Sequence, residues 1–229
     1  MEIPLYLAMT ATEMQNNRQL PHPLAWLSVL FSPYGRGLSN IPKALPPDSL
    51  LILSDRTPIL GHDPELIFSL LQEAVKAHSC CGVLLDFERP GCEEAAQIVK
   101  VLSALPCPLA VSAPYADPFD CAVFVPSPLP SESLDAHLKP WDGREIWLEI
   151  SAQAERIVVS ATDVTHEIRS PCETLSHTDP ELNCHYTIEL QKNAAVFTLQ
   201  RNLEDWRKFL SKQTSHNIQK AVGLYQEMA

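Results

Sequence analysis

The run Gly82-Val83-Leu84-Leu85-Asp86-Phe87 constrains the fold of this chain more than any other stretch. Nearly continuous apolar character over so short a length is what a parallel strand needs when helices cover both of its faces. The neighbouring sequence supplies those helices. Asp63-Pro64-Glu65 offers a capping aspartate, a proline suited to the first helical position and an acid in the first turn, and apolar residues follow at Ile67, Leu70, Leu71, Ala74 and Val75. Residues 93–105 repeat the pattern with Ala96, Val99 and Leu102 and stop before Pro106. Further strands are read at 4–9, 27–31, 50–53, 109–112, 122–125 and 145–150, with a helical stretch at 131–138. Such alternation predicts a parallel sheet with covering helices.

Beyond residue 151 the rhythm changes. Strands are expected at 156–160, 186–190 and 195–200, a hairpin turn at 191–194, and closing helices at 202–213 and 217–228. The expected fold class is therefore α/β, a compact or irregular (β/α)8 TIM barrel. It would form one domain over residues 1–229, with 151–194 a β-rich loop or hairpin insertion before the last strand. That late tract reads as an insertion, or as a surface for oligomer contacts, rather than as a catalytic module.

Charge and residue usage remove several classes of function. Lys and Arg total 17 against 28 Asp and Glu, a net charge of −11, which repels a phosphate backbone and argues against nucleic acid as a partner. No apolar run approaches the ~18 residues that a membrane span requires. With 7 glycines against 20 prolines, the chain lacks the clustered glycines of a phosphate cradle. Gly35-Arg36-Gly37-Leu38-Ser39-Asn40 comes nearest to a dinucleotide fingerprint but has no third glycine and runs into Pro42. No cofactor is expected. The seven cysteines contain no C-x-x-C pair, and the eight histidines show no H-x-x-x-H or H-x-E spacing, so neither a disulfide framework nor a metal site is indicated. A G-x-S-x-G nucleophile elbow is also missing. No basic segment followed by an apolar core opens the chain, and the reading is a reduced, cytoplasmic protein.

Chemistry concentrates on the segment 81–91. In a strand, Leu84, Asp86 and Glu88 share one face while Leu85 and Phe87 take the other, so two carboxylates stand together at the C-terminal end of a buried strand. Barrel enzymes keep their catalytic groups at that end. Neighbouring anions in a partly desolvated site cannot both ionise easily, which raises one pKa and leaves an acid able to donate a proton near neutrality. A structural carboxylate pair bonded to Arg89 or Arg56 is the plainer alternative. Asp55 and Arg56 end the third strand and are candidates for the same mouth. Tyr115 and Asp117, after the fifth strand, are placed to touch a ligand, although Pro114 and Pro118 make an ordinary turn an equal reading. Glu149, in Trp147-Leu148-Glu149-Ile150, either projects into the mouth from a seventh strand or is a solvated charge at the strand's end.

Cys81-Gly82-Val83-Leu84-Leu85-Asp86-Phe87-Glu88-Arg89-Pro90-Gly91 resembles the fourth-strand motif DGxDxDWE of glycoside hydrolase family 18, the chitinase-like barrels, which often continues as YPG. Glycine, the last aspartate, an aromatic, the glutamate and the Pro-Gly pair coincide without a gap. The resemblance implies that Glu88 is the general acid and that Asp86 orients the substrate's acetamido group, whose carbonyl attacks the sugar carbon. It also implies 109–112 and 195–199 as fifth and eighth strands. The substrate it implies is a small N-acetylated glycan or oligosaccharide. Departures are clear: Cys81 and Leu84 replace the first two aspartates, residues 124–128 lack the tyrosine and aspartate usual after the sixth strand, and Thr198 or a neighbour stands where a tryptophan floor is expected. Aromatics at 7% also argue against a long sugar-stacking groove. Two alternatives stay open. One is a retaining glycosidase using Glu88 as acid and Glu149 as nucleophile; the other is a non-catalytic carbohydrate-binding or scaffolding barrel.

Overall fold

A computed structural model describes residues 2–33, 37–117, 119–172, 175–213 and 216–228. Its first strands are β1 (Leu5–Met9), β2 (Leu24–Phe31), β3 (Leu38–Ser39), β4 (Leu50–Ser54), β5 (Gly82–Asp86), β6 (Leu109–Ser112), β7 (Ala122–Pro126) and β8 (Ile146–Ile150). They are followed by β9 (Ala154–Ser160), β10 (Val164–Arg169), β11 (His177–Asp179), β12 (Cys184–Gln191), β13 (Ala194–Gln200) and β14 (Ile218–Leu224). Strands β1, β2, β4, β5, β6, β7, β8 and β14 pair in parallel, each with the next, and β14 returns to β1. The result is a closed eight-stranded barrel, to which β3 adds a short antiparallel edge on β2. Closure leaves the barrel no free edge, save where β3 lies.

Side chains alternate about the barrel wall. Tyr6, Ala8, Ala25, Leu50, Ile52, Leu84, Ala110, Ala122, Phe124, Trp147 and Val222 fill the interior. The outward set, including Leu51, Leu53, Val83, Leu85, Val111 and Leu148, packs under the helices. Burial on both sides is why β4 and β5 read as unbroken apolar runs. Small alanines on β1, β2, β6 and β7 share this interior with the indole of Trp147. A Cβ on Gly82 would lie 2.9 Å from Trp147 Cη2 and 2.9 Å from the Pro108 carbonyl, so glycine is required by the close approach.

The helices are α1 (Ala11–Asn16), α2 (Pro64–His78), α3 (Glu93–Leu102), α4 (Leu134–Leu138), α5 (Leu203–Ser211) and α6 (Tyr225–Met228). Helix α2 starts as the sequence dictates, with Asp63 accepting the Glu65 N–H and Pro64 at its start. Only a 3-10 turn, Ala113–Tyr115, joins β6 to β7, which makes the barrel irregular as well as small. Strands β9 to β13 form a separate five-stranded antiparallel sheet in the order β10-β9-β13-β12-β11, inserted before the eighth barrel strand.

Three expectations are corrected. Residues 217–228 are not a helix: they form β14, the eighth barrel strand, and the single turn α6. Ile218, Ala221, Val222 and Tyr225 fall at helical spacing, but β14 is covered on both faces and bulges between Ile218 and Lys220, so no period of two shows in its sequence. Residues 195–199 accordingly belong to β13 of the inserted sheet, which runs on to Gln200 rather than ending at 194. Of the glycine-containing segment at 35–40, Gly35 and Arg36 lie outside the described residues, while Leu38–Ser39 is β3. Replacement of Gly82 by alanine is expected to cost about 1–3 kcal/mol, the usual range for overpacking, read as a lower urea midpoint with an unchanged m-value.

Candidate active site

Strand direction gathers the acids. Asp86 is the last residue of β5 and Glu149 the penultimate residue of β8, both on the inward face, in line with Leu84 and Trp147. Asp86 and Glu149 share a hollow of about 40 Å³ with apolar walls that include Ala8, Leu27, Ile52, Phe124 and Val222. Above it opens a cleft of about 540 Å³ that Glu88, Glu149, Arg56 and Glu227 line, and which spans the rim from β4 round to β14. Glu88 is exposed to this cleft. Among the described residues, no hydrogen bond or ion pair engages the carboxylates of Asp86, Glu88 or Glu149.

Electrostatics follow from that crowding. Enclosure by the walls of the mouth is the first cause that raises Asp86, to about 6; the Glu88 charge adds to it, Arg56 opposes it, and Asp55 adds a little. Glu149 is open to solvent from the cleft, yet protein surrounds it within the mouth. That enclosure comes first, and repulsion from Asp86, Glu88 and Glu227 then brings it to about 7. One nearby guanidinium faces several carboxylates, and the mouth holds protons near neutrality.

The turn that carries Glu88 is fixed by its backbone. Ser112 Oγ accepts from the Phe87 N–H at 3.0 Å and donates to the Leu85 carbonyl at 3.2 Å. Asp55, buried, accepts the Arg89 N–H at 3.0 Å. The Tyr115 hydroxyl donates to the Arg89 carbonyl and accepts the Cys92 N–H at 3.2 Å. Phe87 is fully buried on the outer side, edge-on to Tyr115 at 6.1 Å. With the flanking residues held from β4 and from the turn after β6, Glu88 projects from a rigid support.

Of the residues singled out in the sequence, Asp86, Glu88, Glu149 and Arg56 are therefore brought to one mouth. Asp55 and Tyr115 lie just behind it and hold the turn, rather than lining the cleft. Asp117 is elsewhere: it pairs with Arg144 at 3.1 Å, and Arg144 also donates to the carbonyls of Ala116, Phe119 and Cys121 where β7 and β8 begin, at the opposite end of the barrel. Pro118 of that turn lies outside the described residues. With β14 as the eighth strand, the residue at the mouth where an aromatic floor was sought is Leu224, not Thr198.

Several cleft residues escaped the sequence reading. Arg201 is buried and donates to the carbonyls of Pro128, Pro130 and Leu182, while its guanidinium stacks 4.3 Å from Phe209 and 5.0 Å from Trp206. Prolines lack the N–H for local bonding, so an outside donor gathers the carbonyls of this loop after β7. Glu155, fully buried, takes both the N–H and the hydroxyl of Ser131 in the same loop, at 2.9 and 2.5 Å. The available signal was Asn202-Leu203-Glu204-Asp205, a capping box that marks the start of α5 and so places Arg201 at the rim. Glu227 depended on recognising β14.

Glutamate in an unfolded chain titrates near ~4.3, so the raised Glu149 gives stability that is full below that value and is lost as pH climbs through about 7. Glu149→Gln removes this loss. Its urea midpoint should match wild type at pH 4 and exceed it progressively up to pH 8, as checked by paired denaturation curves; a constant difference would contradict the raised value.

No family model and no curated protein matches the chain. Among solved structures, its fold is similar to that of the Bacillus megaterium QM B1551 spore cortex-lytic enzyme SleL, with a TM-score of 0.54 and 10% identity over 98% of this chain and 70% of that one. The Bacillus cereus spore cortex-lytic enzyme SleL gives a TM-score of 0.55 at 7% identity, over 97% of this chain and 70% of that one. At such identities the likeness is one of fold.

Proposed function

We propose that this chain is a glycoside hydrolase that cleaves a small N-acetylated glycan, of the kind found in cell-wall polymers, by substrate-assisted acid catalysis. The observation that carries the reading is the hollow beneath the cleft. Its volume of about 40 Å³ and its apolar walls suit the methyl of an acetamido group, and Asp86 stands at its rim to receive that group's N–H. Glu88 lines the cleft above and would protonate the glycosidic oxygen as the bond to the sugar carbon breaks. The acetamido carbonyl would attack that carbon from the other side; water would then open the cyclic intermediate, giving its proton back to Glu88. Arg56 and Glu149 are the polar groups available where this mouth lacks the expected tyrosine. The resemblance of 81–91 to family 18 and the likeness in fold to two spore cortex-lytic enzymes support the same reading. No helix among the described residues is long and apolar enough to cross a membrane. The unbridged Cys80, Cys81, Cys92, Cys107, Cys121 and Cys184 fit a reducing, cytoplasmic setting and soluble oligosaccharide substrates.

A second reading has its own support. Glu149 faces the same cleft as Glu88 and is half-protonated near pH 7, the state required of a general acid. In a two-glutamate retaining scheme, Glu149 would then be the proton donor and Glu88 the nucleophile, the reverse of the order suggested by strand position.

Turnover of short N-acetylglucosamine and muropeptide oligosaccharides, with products read by mass spectrometry, separates these cases. Glu88→Gln is expected to lose roughly 10²–10⁴-fold in kcat while keeping its fold. Under the assisted scheme Asp86→Asn loses as much and sugars without an acetamido group are not cleaved; under the second, they are cleaved and Glu149→Gln is inactive. Absence of cleavage by the wild type would move the protein to the class of non-catalytic carbohydrate-binding barrels.

A further inference from the structure

The inserted sheet is a single layer with its apolar face outward. Register places Ile157, Phe197 and Ile188 in one row across β9, β13 and β12. The next row on that face is Val164, Val159, Ala195 and Leu190, and the row nearer the barrel holds Ile168, Leu199 and Tyr186. The other face carries Arg156, Glu167, Thr198 and Thr187, with Arg156 and Glu167 paired at 3.3 Å, and between its polar rows Val158 and the buried Val196. An antiparallel sheet ordinarily buries its apolar side and wets its polar side. Here the apolar side is wet as well: Leu190 is 82% exposed, Ile168 59%, Val164 51%, Ile188 48% and Val159 36%. Those are five of the seven large exposed apolar side chains among the described residues, and all five point the same way. Helix α5 meets the sheet on its other face, at the barrel end, where Asp205 Oδ2 lies 2.6 Å from His185 Nδ1 of β12.

We infer that this face is an interface between two copies of the chain, in which the sheet of one copy supplies the missing layer for the other. Chemistry favours a protein sheet over a sugar, because the protruding tips are Val, Ile and Leu, while Phe197 and Tyr186 lie half-buried among them. Charge favours a second copy. The chain carries a net charge of −11, yet the rows of this face across β10, β9, β13 and β12 carry almost none: their one acid, Glu155, is buried against His166 at 2.8 Å and Ser131, while Asp179 lies at the β11 edge and accepts the Glu181 and Leu182 N–H groups. Like-charged copies can meet here without opposing carboxylates, whereas a basic partner would be drawn to the acidic surface elsewhere. Strand spacing of ~4.8 Å and a rise of ~3.3 Å per residue make the four longer strands a face of about 19 by 20 Å. Two such faces have a flat footprint of about 760 Å², to which side-chain relief adds, the size of a weak, concentration-dependent association rather than an obligate one. Sheets stacked ~10 Å apart with strands aligned to within ~30° would form a sandwich across a two-fold axis. Ile168 also lines the catalytic cleft, so the partner's sheet would stand along one side of that opening.

Sedimentation velocity on the full chain at micromolar concentrations tests this independently of any activity. The wild type is expected at twice the chain mass, and the double variant Ile188→Lys, Leu190→Lys at the single mass with an unchanged circular dichroism spectrum. Thr187→Lys, on the opposite face of the same strand, should stay dimeric. If the double variant fails to fold, Val164→Lys on the exposed outer strand takes its place. A monomeric wild type, a dimer that survives the lysines, or equal dissociation by Thr187→Lys would overturn the inference.

Discussion

Trp147 fills the barrel, and much else in the molecule follows from finding room for it. Its indole is fully buried against Gly82 and Leu50, its Nε1 donates to Glu145 at 3.0 Å, and the Lys220 ammonium sits 4.6 Å from its ring. The position on β5 that meets the indole is glycine, because a Cβ there would lie 2.9 Å from it. The next inward residue along β8 is Glu149. The step that buries the indole thus sets a carboxylate at the mouth, and Leu84 does the same for Asp86 on β5. Packing below and chemistry above are consecutive positions on the same strands.

What distinguishes the mouth is charge left without partners. Elsewhere, buried ionic groups are satisfied: Arg201 by three carbonyls and two rings, Glu155 by Ser131 and His166, and Asp205 by His185 at 2.6 Å and the Asn202 N–H. These groups tie the loop after β7 and the inserted sheet to the barrel, and so build one wall of the cleft. Asp86, Glu88 and Glu149 have no such bonds, and Asp86 and Glu149 are raised first by their enclosure and then by the charges beside them. Unpaired carboxylates at the strand ends of a closed barrel are costly for folding alone. Under the proposed mechanism, proton transfer gives them a use.

Legibility from the sequence followed burial. β5, α2 and α3 were readable because apolar runs and caps report directly on two-sided or one-sided burial. β14 was not, since a bulge and a two-sided environment gave Ile218, Ala221, Val222 and Tyr225 the spacing of a helix, and the eighth strand was sought in β13 instead. In the site, the Asp86–Glu88 pair was visible from strand alternation, and Glu149 from the same rule. Asp55 and Tyr115 lie near the mouth, but their bonds go to the backbone of the Glu88 turn, and nothing in a residue's identity says which of two nearby partners it takes. Asp117 was drawn to the mouth by its distance along the chain from β6. With no helix after that strand, the backbone has already returned to the other end, where Arg144 meets it.

Substrate-assisted catalysis at this mouth requires that the hollow beside Asp86 receive an acetamido group. Calorimetric binding of the thiazoline analogue of N-acetylglucosamine, which mimics the cyclic intermediate, tests this without requiring a cleavable substrate. Saturable binding to the wild type is expected, lost in Asp86→Asn while the folded state persists. Absence of binding, or binding indifferent to Asp86, would contradict it.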